Sequence, residues 1–258
     1  MRNWNALAEE ITSWISDYAQ ENNIRSLIVG VSGGVDSAVT STLSARTGIR
    51  TIAVNMPIHQ KTQQNDLSMK HISWLKDNFD NVEERILNLS GTYDSFVESI
   101  SKNEVSDLAL ANSRARLRMT ALYATAGSNG GMVVGTGNKV EDFGVGFYTK
   151  YGDGGVDISP IADLLKTEVY FLAHELDIIE EIIQAAPTDG LWGDGRSDEE
   201  QLGASYEELE WAMKESEFPS DKDLSERERK VLDIYQRLNK SNSHKMNPIP
   251  VFKLYPDD

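Results

Sequence analysis

Apolar residues recur along this chain in two rhythms, and each change of rhythm marks an element. Residues 3–20 carry Trp4, Leu7, Ile11, Trp14, Ile15 and Tyr18 at helical spacing on one stripe, which predicts a docking helix. Arg25 to Val31 is a β-branched apolar run and reads as a strand, with helix-compatible sequence from Asp36 to about Arg46. Thr51 to Met56 repeats the strand pattern and is closed by Pro57. A helix from about Gln63 to Phe79 would bury Leu67, His71, Trp74 and Leu75, making His71 a core histidine rather than a ligand. Val82 to Leu89 alternates as a third strand, and helices follow near Thr92–Ser101 and Val105–Gly127. Met132 to Gly135 is a short apolar run of the kind found in fully buried strands. Helices near Asp163–Glu175, Tyr206–Lys214 and Ser225–Leu238 complete the pattern. The glycine-rich, polar stretches Gly137–Asp157 and Thr188–Gly203 leave little room for regular structure. The ending HKMNPIPVFKL cannot be helical through Pro248 and Pro250, so it is expected to lie extended over the surface.

Strands alternating with helices predict an α/β fold, a doubly wound parallel sheet flanked by helices. Ligands of such sheets bind beyond the carboxyl ends of the strands, where the loops after Val31, Met56 and Val134 should converge. With 258 residues and 40% hydrophobic content, one sizeable core is expected, as a single domain over 1–258 with a small helical appendage. No apolar run approaches the ~18–20 residues of a membrane span, and the amino terminus carries no signal-peptide pattern. Zero cysteines exclude disulfides, thiolate metal sites and a cysteine nucleophile, and point to a cytoplasmic setting. A net charge of −16 disfavours broad contact with nucleic acid. What it leaves is a small, locally basic pocket for anions.

The most informative stretch is LIVGVSGGVDSAVTSTL, Leu27 to Leu43. A strand feeding a glycine-rich turn into a helix makes an anion site, because the first helical amides lack partners and the dipole end favours negative charge. Gly33 and Gly34 let backbone N–H groups approach phosphate, Ser32 and Ser37 add hydroxyl donors, and Asp36 can hold a magnesium ion beside them. GxxxxGK[ST] needs a lysine this loop lacks, and GxGxxG is not spelled. SGGVDS resembles instead the SGGxDS loop of the N-type ATP pyrophosphatases, which split ATP into AMP and pyrophosphate.

Further on stand NSRARLRM from Asn112, GTGNKVED and FYTKYGDGGVD within Val133–Tyr170, PTDGLW at Pro187 and SHKMNP at Ser243. In this order, and over nearly the whole chain, they resemble the ammonia-dependent NAD synthetases. The resemblance implies an adenine nucleotide α-hydrolase-like sheet and a magnesium-dependent ligase. Such an enzyme joins ammonia to the nicotinate carboxylate of deamido-NAD, with ATP giving AMP and pyrophosphate by way of an acyl-adenylate. It also implies a homodimer with the dinucleotide along the interface. Carried over residue by residue, Gly30, Val31, Ser32, Gly33, Gly34, Val35, Asp36 and Ser37 would cradle the triphosphate. Thr136, Lys166 and Thr188 would touch ATP, and Asp36 with Glu141 would hold Mg²⁺. Arg116, Lys150, Asp157, His244 and Lys245 match deamido-NAD contacts. Asp153 would line the pocket that receives ammonia or ammonium.

Alternatives stay open at three places. Thr136–Lys150 is one residue longer than the commoner form, so Asp142 competes with Glu141 as metal ligand. Of Arg114, Arg116 and Arg118 only Arg116 matches a family contact, and alternate helical residues lie about 200° apart. Asp189, Asp194 and Asp198 form an acidic run with no individual role assigned. Rival functions are another ATP-pyrophosphatase ligase, a tRNA-modifying enzyme, and a non-catalytic nucleotide-binding regulator. The acidic charge and missing cysteines weigh against the tRNA enzyme. The pairing of Asp36 with an acidic residue after the fourth strand weighs against the regulator.

Overall fold

Alternation along the strands decides which helices cover which face. The computed structural model describes residues 2–60, 62–100, 104–186 and 198–254. In chain order the elements are α1 (Trp4–Glu21), β1 (Ser26–Gly30), α2 (Val35–Arg46), β2 (Thr51–Asn55), α3 (Thr62–Asn78) and β3 (Val82–Ile86). There follow α4 (Ser90–Ser99), α5 (Asp107–Asn129), β4 (Gly131–Val133), a π-helical turn (Lys139–Val145) and α6 (Lys166–Glu175). The last are α7 (Glu180–Ile183), α8 (Asp198–Leu202), α9 (Tyr206–Glu217) and α10 (Glu226–Met246). Leu27 and Val29 of β1 face a core built from Ala8 and Ile15 of α1, Val39 and Leu43 of α2, and Val169 and Leu172 of α6. Ile28, one residue out of phase, packs with Ile52, Val54 and Val133 against Met119, Leu122 and Ala126 of α5. The period of two thus sends successive side chains into opposite cores.

The sheet is parallel, ordered β3-β2-β1-β4. The chain runs outward from β1 to β3 and then returns to place β4 on the other side of β1. The order therefore reverses between β1 and β4, and a crevice opens there at the carboxyl ends. The loop after β1 and the segment after β4 are its two lips.

Several sequence expectations need correction. The third strand stops at Ile86 rather than Leu89, because α4 already begins at Ser90. On α1, Trp14 and Tyr18 are exposed, and the burial falls on Ala8, Ile15 and Ala19. The supposedly irregular 137–157 stretch holds the π-helical turn, capped by the Asn138 side chain, which accepts from the Glu141 amide. A π turn accommodates an extra residue within a helical path. The last helix runs eight residues past Leu238, to Met246, and among the described residues of the ending only 248–254 lie without regular structure.

A second apolar cluster joins Val140 and Val145 of the π turn to Leu209 of α9 and Val231 and Tyr235 of α10. The C-terminal helices thus pack on one lip of the crevice. His71 is the core histidine expected: fully buried on α3, stacked on Trp74 at 5.6 Å, with Nε2 at 2.9 Å from Ser41 Oγ of α2. Burial pushes its pKa down to about 4.

A histidine depressed below its ordinary value stabilises the fold above that value, and the contribution disappears as pH falls toward the folded-state pKa. Stability should therefore fall between about pH 6.5 and pH 4.5 by roughly 2–3 kcal/mol from this residue. Urea unfolding across that range should show the drop in the wild type and a flatter profile in His71→Gln. Parallel profiles would refute the assignment.

Candidate active site

The crevice between β1 and β4 opens into a cavity of about 870 Å³. Its floor is the turn from Gly30 to Ser37, all of which lines it. The turn is closed by its own hydroxyls. Ser32 N–H donates to Ser37 Oγ (3.1 Å), Gly34 N–H to Ser32 Oγ (3.2 Å), and Ser37 Oγ to the Gly34 carbonyl (2.9 Å). Gly33, at φ 92°, supplies the left-handed residue this path requires. The first-turn amides of α2 have no intrahelical acceptor and open toward the cavity as anion donors.

At the mouth of the turn three charges meet. Lys166, in the first turn of α6, donates to Asp36 Oδ2 (2.5 Å) and to Glu141 Oε1 (3.0 Å). Asp36 comes from the first turn of α2, just after the loop that follows β1, and Glu141 from the π turn after β4, so the fold's reversal brings them together. The lysine side chain is 4% exposed and the two carboxylates 17% and 16%. Burial opposes charge on Lys166, but Asp36 and Glu141 override it and hold the pKa well above the ordinary lysine value. Burial would also raise Glu141; the Lys166 charge and a 2.5 Å hydrogen bond from the Tyr206 hydroxyl hold it below the usual range. Asp36 stays raised, because burial outweighs its share of Lys166 and the Asn138 amide that donates to it at 3.2 Å.

Two carboxylates that already share one cation offer hard oxygen donors of the kind Mg²⁺ takes, in ones or twos, alongside phosphate and water. Among the described residues no group of three His, Asp or Glu is placed for a metal, so phosphate and water would have to complete the shell. The donor set fits the ion. Asp142 is placed differently: its carboxyl packs on Gly137, where a Cβ would overlap it, and it makes no ion pair with Lys166. Burial pushes its pKa well up, and Asp153, Glu141 and Asp36 push it further.

The other lip carries Asp153. Its Oδ1 accepts the Thr149 amide (3.1 Å), while Thr149 Oγ1 donates to Asn112 Oδ1 on α5 (2.7 Å). Asp153 opens onto the cavity, and the protein packed around it raises its pKa, partly offset by the Thr149 amide. This loop is fastened to α10 by a ladder. Asn239 Nδ2 donates to the Gly144 carbonyl, Asn242 Nδ2 to Val145, and Lys245 Nζ to Gly146 and Tyr148. Lys150 Nζ donates back to the His244 carbonyl (2.9 Å), and Arg116 Nε to the Lys150 carbonyl (3.1 Å). Gly146, at φ 63°, turns the chain where a Cβ would also run into Asn242.

Of the expected residues, Gly30 to Ser37, Thr136, Glu141, Asp153, Lys166, Arg116, Lys150, His244 and Lys245 all line this one cavity. Asp157 does not line it. Its carboxylate accepts from the Tyr123 hydroxyl (2.9 Å) and from the Val133 amide of β4 (2.7 Å), which fastens it to the sheet. Thr188, with Asp189 and Asp194 of the acidic run, lies outside the described residues. Sequence reasoning missed Asn138, Tyr206 and the asparagines of α10. Asn138 had a signal, since Asn followed three residues later by Glu is a helix-start pattern. Tyr206 follows the Ser205–Glu208 capping box, which reports a helix start and nothing about Glu141.

Comparison with known proteins places the chain in a family and a fold. The NAD synthase family model matches residues 7–249. An NH3-dependent NAD(+) synthetase of Carboxydothermus hydrogenoformans is 34% identical over 247 residues, covering 94% of this chain and 95% of that one. Two solved structures superpose on it nearly end to end. An NMN synthetase from Francisella tularensis has a TM-score of 0.86 at 28% identity, covering 99% of this chain and 100% of that one. An NH3-dependent NAD synthetase from Campylobacter jejuni has 0.79 at 25%, covering 98% and 100%. The fold is that of the adenine nucleotide α-hydrolase-like proteins.

Removing one partner of a buried charge group leaves the rest uncompensated. Lys166→Met should therefore cost about 3–5 kcal/mol of unfolding free energy, and adding Asp36→Asn with Glu141→Gln should recover much of it. Urea unfolding of the single and triple variants checks this. A single variant as stable as the wild type would contradict the burial argument.

Proposed function

This chain belongs to the NAD synthase family of carbon–nitrogen ligases, and we propose that it amidates the nicotinate carboxylate of deamido-NAD with ammonia, through an acyl-adenylate formed from ATP. The observation that carries the reading is the meeting of Asp36, Glu141 and Lys166 above a Gly30–Ser37 turn built to hold phosphate. A carboxylate is a poor acyl electrophile, and pressing it against a polyphosphate sets negative charges together. Aimed donors and cations answer both difficulties.

In this reading a carboxylate oxygen of the dinucleotide attacks the α-phosphorus of ATP and pyrophosphate leaves. The turn's amides and hydroxyls hold the phosphates, Thr136 lies by the adenosine, and the Lys166 ammonium neutralises the developing charge. Asp36 and Glu141 would hold Mg²⁺, which supplies electrostatic stabilisation of the phosphate oxygens. Glu141 is the better second ligand because it converges with Asp36 on one ammonium, as Asp142 does not. Arg116, Lys150, His244 and Lys245 orient the dinucleotide. Ammonia then attacks the acyl carbon, AMP leaves, and the proton shed by nitrogen passes to Asp153. Asp157 lies away from the cavity beside exposed Tyr123; this supports a homodimer in which part of the dinucleotide crosses between copies. Thr188 completes the ATP contacts by family resemblance.

A second reading replaces the dinucleotide with its mononucleotide acid. It is favoured by one observation: the Francisella protein, with the higher superposition score of the two structures, is an NMN synthetase.

Product assays decide between them. NAD should form with ammonium chloride and not with glutamine, and kcat/KM for deamido-NAD should exceed that for nicotinate mononucleotide by about tenfold or more. A reversed ratio would establish the second reading, and no amide product from either acid would end both. Carboxylate-¹⁸O substrate should deliver label to AMP; label in pyrophosphate would exclude the acyl-adenylate.

A further inference from the structure

One cavity-lining cation has no part in the chemistry above. Arg118, on α5, donates from Nε to the Met56 carbonyl at 3.0 Å, just beyond the carboxyl end of β2. That bond fixes the plane of the guanidinium and leaves its terminal N–H groups as the donors available to the cavity. Among the described residues no carboxylate pairs with Arg118, and Met56 supplies its one hydrogen-bond acceptor. Arg114, one helical turn earlier on the same face, stacks on Tyr93 at 5.0 Å and adds a like charge beside it. Burial lowers the Arg118 pKa to about 10, Arg114 adds to the effect, and Asp153 opposes it. The group therefore stays cationic at neutral pH.

Such an arrangement needs a reason. Holding the partly buried Arg118 guanidinium with no carboxylate paired to it among the described residues costs free energy. The chain has 41 acidic side chains from which a partner could have been drawn. A strand-end cap alone calls for a neutral donor, whereas an unpaired fork of donors matches the two oxygens of a carboxylate or phosphate.

We propose that Arg118 is a further substrate-contacting residue, whose terminal N–H groups take the anionic oxygens of a reactant at the adenylation end of the cavity. The proposal rests on the ligase reading above. The Asp153 charge is within electrostatic reach of Arg118, which puts the guanidinium near the group assigned to receive the amine's proton. The anion is the pyridine carboxylate or the nucleotide's α-phosphate, and the two sources separate by experiment.

Arg118→Gln and Arg118→Lys are compared with the wild type for calorimetric binding of α,β-methylene-ATP, deamido-NAD and NAD, with unfolding free energy measured on each. Losing a charge-assisted bidentate contact should weaken one ligand about 10–100-fold, with stability largely kept and the lysine variant only partly restored. If the carboxylate is the partner, deamido-NAD weakens while NAD, its uncharged amide, does not. If the phosphate is the partner, the ATP analogue weakens and both dinucleotides hold. Added guanidinium should restore turnover to Arg118→Gln, which a purely structural role would not produce. Unchanged affinities, or all three falling together with the unfolding free energy, would overturn the proposal. A wild-type protein that binds the ATP analogue but not deamido-NAD would count against the ligase reading instead, and Arg118 would stand or fall on the nucleotide arm.

Discussion

One buried ammonium between two carboxylates is the constraint on which the site depends. Lys166, Asp36 and Glu141 come from three separate segments, and the largely buried ammonium is tolerable there because the two carboxylates compensate it. The contact therefore does two jobs at once. It ties the segments after β1 and β4 together across the crevice, and it sets a pair of hard oxygen donors beside a turn of open amides. The strand order supplies the geometry, since reversal at β1 and β4 points both loops at the same spot.

A second layer holds the opposite lip. The π turn, α9 and α10 share an apolar cluster of their own, and the donors from Asn239 to Lys245 tie the Gly144–Tyr148 carbonyls to α10. These side chains recur about every three residues along one helix face, so a single rigid element fixes the backbone that carries Lys150 and leads to Asp153. Positioning of this kind acts through main-chain carbonyls, and for that reason it shows little in the chemistry-bearing residues themselves.

The legible parts of the sequence were those with a local cause. The strand, turn and helix around SGGVDS and the buried His71 on its apolar stripe follow from local pattern and stand as read, while the third strand is shorter than its alternation suggested. Trp14 and Tyr18 lie on the predicted stripe yet stay exposed, because the buried face of α1 is centred on small Ala8 and Ala19, which allow close approach to α2 and α6. The π turn could not be read, since within a glycine-rich, polar stretch its sequence looks the same as a loop. Likewise the last turns of α10 carry Asn, Ser and Lys, an exposed-helix composition whose partners become visible only with the fold. Tyr206 was beyond reach, because its hydrogen bond to Glu141 spans 65 positions and nothing local anticipates it. Asp157 reads as a ligand contact by resemblance, but within one copy its carboxylate is spent on β4.

The proposal that Asp36 and Glu141 form the metal pair is open to one direct measurement. Mn²⁺ bound in the presence of α,β-methylene-ATP can be counted by electron paramagnetic resonance in Asp36→Asn, Glu141→Gln and Asp142→Asn. Tight binding should be lost in the first two and kept in the third. Retention in Glu141→Gln together with loss in Asp142→Asn would contradict the account.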